Sequence, residues 1–127
     1  MEITATSKYV RVSPRKMQLL AKSVKRMSVG AAVDALIFTH KNGARALRQL
    51  LLSALANAKS KNVKSDLLIK EIHVLPGSAM KRFRAVSRGM AHTYKKRMSH
   101  IRVILTEKPI KEKNVKIKVQ KEEKKSV

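Results

Sequence analysis

Seven Lys or Arg, two His and one Gly, with no carboxylate, fill the stretch KRFRAVSRGMAHTYKKRMSH from Lys81 to His100. The chemistry such residues do best is to hold phosphate. Arg82, Arg84, Arg88 and Arg97 can form two-point contacts with phosphate oxygens, and Lys81, Lys95 and Lys96 act as point charges. Other chemistry finds little support. The histidines His40, His73, His92 and His100 do not fall at metal-ligand spacing with one another or with carboxylates. Ser13 precedes Pro14 and reads better as a helix cap than as a nucleophile, because no acid–base partner is near it. The 8 acids are dispersed, with only Glu122 and Glu123 adjacent, so no two-carboxylate site is indicated. The 4 glycines do not form a phosphate-cradling loop. The expectation is a binding protein without a cofactor or a metal, and not an enzyme.

Charge balance points the same way. The chain has 127 residues, with 30 Lys and Arg against 8 Asp and Glu, a net charge of +22. Self-repulsion at that level disfavours a compact state until counter-charge arrives. Nucleic acid is the first candidate, and an anionic membrane or an acidic protein the second. The absence of Cys excludes disulfides, zinc–thiolate sites and thiol nucleophiles, and fits a reducing compartment. The first residues, MEITATSKYVRVSPRK, hold no apolar signal core, and no apolar run approaches the ~20 residues of a membrane span. A soluble, cytoplasmic protein is expected. With only Tyr9, Phe38, Phe83 and Tyr94 as aromatics, a base-stacking platform is not indicated.

The elements that must position these cations can be read from periodicity. Ile3, Ala5 and Tyr9 alternate with Glu2, Thr4, Thr6 and Lys8, which predicts a half-buried strand over residues 2–10 with Tyr9 on the core side. Ser13-Pro14 opens a helix whose apolar face is Met17, Leu20, Ala21 and Val24, with Arg15, Lys16, Lys22 and Lys25 opposite. After a break near Arg26–Gly30, a short helix over about Ala31–Thr39 offers Ala32, Val33 and Leu36. Asn42-Gly43 separates it from a third helix, from Ala44 to about Ala58, striped by Leu47, Leu51, Ala54, Leu55 and Ala58. That helix is expected to be about 30 Å long and central to the core. LLIKEIHVLP and the alternation Ile101, Val103, Leu105 predict two further strands.

Between those strands lies the basic stretch, with Arg88-Gly89 near its middle, where a tight reversal with positive φ wants Gly. The economical solution is a long antiparallel hairpin over about residues 76–102, projecting about 40 Å. Its base joins the sheet; its distal half has no core face. A solvated surface mixes signs of charge, so an acid-free ribbon suggests phosphate on more than one face. Phosphate contacts supply affinity without reading sequence, and specificity would come from RNA shape. Phe83 and Tyr94 have two open roles, stacking on bases or packing across the ribbon. The segment 109–127 is Lys-rich and is expected to be a flexible tail; NVKIKV within it is compatible with a short extra strand.

Three stretches carry a resemblance: KYVRVSPRKMQLL (Lys8–Leu20), SALANA (Ser53–Ala58) and KRFRAVSRGMAHTYKKRMSHI (Lys81–Ile101). In order and spacing they resemble the signature stretches of the large-subunit ribosomal protein twenty-two family, bacterial type, over residues 1 to about 108. The resemblance implies an α+β fold, with three helices packed on a small antiparallel sheet, a long protruding β-hairpin and a basic C-terminal tail. It implies a single RNA-binding domain (1–108) on large-subunit ribosomal RNA, in the cytoplasmic ribosome, with a role in assembly. The hairpin would line the polypeptide exit tunnel. Its tip would meet nascent polypeptide near ribosomal protein four and the macrolide site. Carried onto this sequence, the tip is Arg84, Ala85, Val86, Ser87, Arg88, Gly89 and Met90. RNA would meet Lys81, Arg82, Arg84, Arg88, Lys95, Lys96, Arg97 and His100 on the arm. Lys8, Tyr9, Arg11, Ser13, Arg15 and Lys16 would meet it on the globular part.

The chain also departs from the family pattern. Ala85 stands where Pro is frequent, Val86 and Met90 where Arg is frequent, and Gln18 where a basic residue is common. The tip is therefore less basic and more apolar than usual. The alternative reading is a DNA-binding architectural protein with a basic β-arm, for which Ala85 and Val86 are poor apolar wedges. A membrane-surface peptide would need its basic density on a helix with bulky apolar anchors.

Overall fold

Alternating side chains over Glu2–Val10 form the first strand, β1, with Ile3 and Ala5 buried and Glu2, Thr4 and Thr6 exposed. The helices α1 (Pro14–Val24), α2 (Val29–Phe38) and α3 (Ala44–Ser60) follow, then two long strands, β2 (Leu67–Ala85) and β3 (Ala91–Glu107). The structure is a computed structural model that describes residues 2–63 and 66–107. The expectations for the Lys-rich segment, NVKIKV included, fall outside the described residues.

The sheet has the order β1-β3-β2, and both pairings are antiparallel. The central strand β3 contributes Ile101, Val103 and Leu105, all fully buried, flanked by Ile3 and Ala5 from β1 and Leu67 and Ile69 from β2. The helices cover this face, α3 against β1 and α2, and α1 against β2. The buried residues of α1 are Met17, Leu20, Ala21 and Val24, the expected stripe. Those of α3 are Ala44, Leu47, Leu50, Leu51, Ala54 and Ala58, with Leu55 only partly covered. This is the α+β architecture the sequence suggested.

Local chemistry sets the element ends. Ser13 does sit at the N-cap of α1 with Pro14 next, but its hydroxyl makes no capping bond; its carbonyl accepts the Met17 N–H at 3.1 Å. α2 starts at Val29, earlier than expected, because buried Val29 joins Ala32 and Leu36 on the core side. α3 has 17 residues, roughly 25 Å. It stops where Asn62 takes a left-handed φ of 56°, while the Asn62 and Val63 N–H groups return to the carbonyls of Lys59 and Ala58 (3.0 and 3.2 Å). That pattern satisfies the last carbonyls of the helix.

Ser99 on β3 is fully buried, and its Oγ has no hydrogen-bond partner among the described residues. An unsatisfied buried hydroxyl is destabilising, so Ser99→Ala should stabilise the isolated protein by about 1 kcal/mol. The melting temperature should rise by about 4–8 °C. A melt followed by circular dichroism that drops instead would show that the hydroxyl has a partner.

Candidate nucleic-acid interface

The arm leaves the domain at a doubly bulged junction. On one side of β3, Ser7 pairs with Ile101 and Val10 with Ser99, so Lys8 and Tyr9 together oppose His100. On the other, Pro76 pairs with Ser99 and Ala79 with Arg97, so Gly77 and Ser78 oppose Met98. Bulges bend a strand and increase its twist, and this pair re-aims the ribbon away from the core. The first bulge also overturns the expected orientation of Tyr9. With φ at 57°, Tyr9 leaves the alternation and is 58% exposed.

His100 braces the junction. Its Nδ1 accepts the Tyr9 N–H at 3.0 Å, and its ring meets the Tyr9 ring edge-on at 4.7 Å. Accepting at Nδ1 requires the ring proton on Nε2. A side chain at residue 77 would place a Cβ 3.3 Å from His100 Cε1 and Nε2 and from the Met98 carbonyl carbon, which is why Gly suits that position. His100→Ala should leave the helices intact and loosen the arm's root. Amide exchange at Tyr9 and across Gly77–Met80 should speed up about ten-fold, as expected for loss of one hydrogen bond and its packing. Unchanged protection there would remove His100 as the brace.

Beyond Pro76 and Ser99, β2 and β3 pair, among the described residues, only with each other, out to Ala85↔Ala91. At ~3.3 Å per residue the free arm is roughly 30 Å long. It is shorter than expected because the base of the hairpin is taken into the core sheet as far as Ser99. The reversal uses two left-handed residues, Arg88 (φ 60°) and Gly89 (φ 69°), closed by the Val86 N–H donating to the Met90 carbonyl at 2.9 Å. Residues 81–97 are all exposed. The register puts Lys81, Lys95 and Arg97 on one face of the ribbon and Arg82, Arg84 and Lys96 on the other. Phe83 and Tyr94 fall on opposite faces, so they do not pack as a cross-strand pair. Lys81 stands directly opposite Lys95, and like charges so placed are destabilising unless an anion intervenes.

Among the described residues no carboxylate pairs with an arm cation. Glu2 is engaged with the Lys70 ammonium and Glu71 with His73 Nε2 at 3.1 Å. The hydrogen bond from Lys70, then its charge, holds the Glu2 carboxyl below its usual value, and the same contacts raise Lys70. The spacing of the histidines had not suggested the His73–Glu71 contact. Among the described residues no cluster of His, Asp or Glu suits a metal ion.

The strongest convergence is at the arm's root. β1 ends against Ser99 and the chain turns away into α1, so among the described residues no strand pairs with the outer edge of β3 from Met98 to Ala91. A cleft of about 630 Å³ opens there, lined by Arg11, Ser13 and Lys16 on one wall, Lys95, Lys96 and Arg97 on the other, and Asn42. Among the described residues no carboxylate lines it. Two basic motifs far apart in sequence thus face each other across a space able to admit a phosphate backbone. Lys8 and Arg15 are exposed nearby but outside its walls, as are Lys81, Arg82, Arg84 and Arg88 along the arm. Asn42 is the functional candidate that periodicity missed, because a KNG turn signals only a helix boundary.

Residues 5–106 match the family model described as ribosomal protein L22p/L17e. The large ribosomal subunit protein uL22 of Syntrophus aciditrophicus is 43% identical over 110 residues, covering 85% of this chain and 100% of that protein. Its namesake in Leptospira biflexa is 42% identical over 110 residues, 84% of this chain and 95% of the relative. That of Lawsonia intracellularis is 43% identical over 110 residues, 84% and 97%. The matched span contains the first basic motif, the three helices and the whole arm, and the chain belongs to the ribosomal protein L22p/L17e family.

Proposed function

We propose that this protein is held in the large ribosomal subunit by phosphates of its ribosomal RNA, and that it aids assembly and lines the polypeptide exit tunnel with its arm. Membership of the family makes it a structural constituent of the ribosome and not an enzyme. The observation that carries the RNA reading is the cleft of Arg11, Ser13, Lys16, Lys95, Lys96 and Arg97, continuous with a ribbon that is cationic on both faces. Such an arrangement suits an arm surrounded by phosphate rather than one lying on a flat surface. Among the described residues no helix is long and apolar enough to cross a membrane.

Residues 1–108 act as one RNA-binding unit in this proposal. Lys8, Tyr9, Arg15, Lys81, Arg82, Arg84, Arg88 and His100 extend the contact beyond the cleft. The tip from Arg84 to Met90 is exposed and offers Val86 and Met90 as apolar contacts. It faces nascent polypeptide, with ribosomal protein four as its neighbour.

The test is sedimentation of the tagged protein from cell lysate through sucrose in magnesium buffer, after a high-salt wash. Retention in the large-subunit peak supports the reading. Release into light fractions, or comigration with DNA, overturns it in favour of an architectural DNA-binding protein.

A further inference from the structure

A second basic pocket, of about 430 Å³, adjoins the cleft at the arm's root. Asn42 lines both. His40, Lys41, Arg45 and Arg48 bring positive or protonatable groups to the second pocket, and among the described residues no carboxylate lines it. Among the described residues none of these four is in an ion pair. Arg48 lines the pocket, and its buried Nε has no hydrogen-bond partner among the described residues. Lys41, Arg45 and Arg48 around one opening make a patch of positive charge that an anion in the pocket would balance. The first turn of α3, which forms part of the wall, has no acidic residue and no side-chain cap to compete for that place.

We propose that this pocket takes a backbone phosphate of the same ribosomal RNA that fills the arm-root cleft. One strand then runs from Lys95–Arg97 past Asn42 to Arg45 and Arg48. The shared Asn42 wall favours this occupant over an acidic protein segment: a polyanion with charges repeated along its backbone fills two adjoining basic pockets in one pass. The proposal rests on the RNA reading above and adds a second anchoring point on the globular part, at residues outside both basic motifs.

The test uses the full chain and ribosomal RNA extracted from large subunits, titrated by filter binding over a salt series. Two variants are compared, Lys41→Glu/Arg45→Glu at exposed positions and Arg48→Gln at the part-buried one, with Lys95→Glu/Lys96→Glu in parallel. The Lys41/Arg45 variant should bind about ten-fold more weakly or worse, with the salt slope reduced by roughly 1.5–2. Arg48→Gln should lose affinity with a slope reduced by about 1. If circular dichroism shows Arg48→Gln unfolded, the exposed pair decides. Wild-type affinity and slope for Lys41/Arg45, with loss only in Lys95/Lys96, overturns the second pocket and leaves the RNA reading standing. No loss in any variant overturns the RNA reading itself. Ultraviolet cross-linking in intact subunits should place nucleotide adducts on the peptide spanning residues 40–48. Cross-links there to protein alone also overturn the proposal.

Discussion

Arg82→Glu, Arg84→Glu and Arg97→Glu, combined in one chain, should give a folded protein that no longer stays in the large subunit. All three residues are exposed and lie on the free part of the arm. Arg82 and Arg84 project from one face of the ribbon and Arg97 from the other, so no rotation of the arm hides the new carboxylates from phosphate. A hydrogen bond to a charged group is worth about 1.5–3 kcal/mol. Losing three costs at least roughly 4.5 kcal/mol, or more than 10³-fold in affinity, before repulsion is counted. The domain itself gains: each reversal removes two units of charge, and the net charge falls from +22 to about +16, easing self-repulsion. An unchanged melt by circular dichroism together with absence from the salt-washed large-subunit peak is the expected pair of results. Wild-type retention would sink the claim that phosphate holds the ribbon.

The arm was legible in the sequence because two negative signals coincide: residues 81–98 lack both acids and a core periodicity, and neither is normal for a domain surface. The helix faces were legible because Met17, Leu20, Ala21 and Val24, and likewise Leu47, Leu51, Ala54 and Ala58, repeat at the spacing of one helical face. What stayed hidden depends on register. Whether Tyr9 points to the core or away is decided by a bulge opposite His100, and nothing in the residue type announces a positive φ at a Tyr. The reversal at Arg88-Gly89 was legible from the Gly, but the positive φ of Arg88 itself was hidden for the same reason. The meeting of Arg11, Ser13 and Lys16 with Lys95, Lys96 and Arg97 follows from where β1 stops pairing with β3, a fact of the whole sheet. His100 read as an RNA-facing group by motif alone, and only the fold reveals its bond to the Tyr9 backbone and its seat over Gly77.

Leu51→Ala should produce the opposite phenotype, a chain that fails when free and recovers when bound. Leu51 is completely buried on α3, within the cluster that joins Ile3, Leu47, Ala54 and Ile101. Truncating such a leucine costs about 2.7–5 kcal/mol, depending on how far the cavity collapses. A domain of this size has about 5–15 kcal/mol in all, and uncompensated positive charge takes this one towards the lower end. The melting temperature of the free protein should fall by at least roughly 10 °C. In the proposed function ribosomal RNA is a ligand of the folded chain, and a ligand that binds the folded state restores stability in proportion to the logarithm of its excess. Leu51→Ala should therefore still enter large subunits, in reduced amount, while the triple arm variant, folded throughout, should not. A Leu51→Ala melt within a few degrees of wild type would mean that the core does not rest on α3. A Leu51→Ala chain excluded from subunits as completely as the arm variant would mean that the fold of the globular part, rather than the charge on the arm, limits attachment.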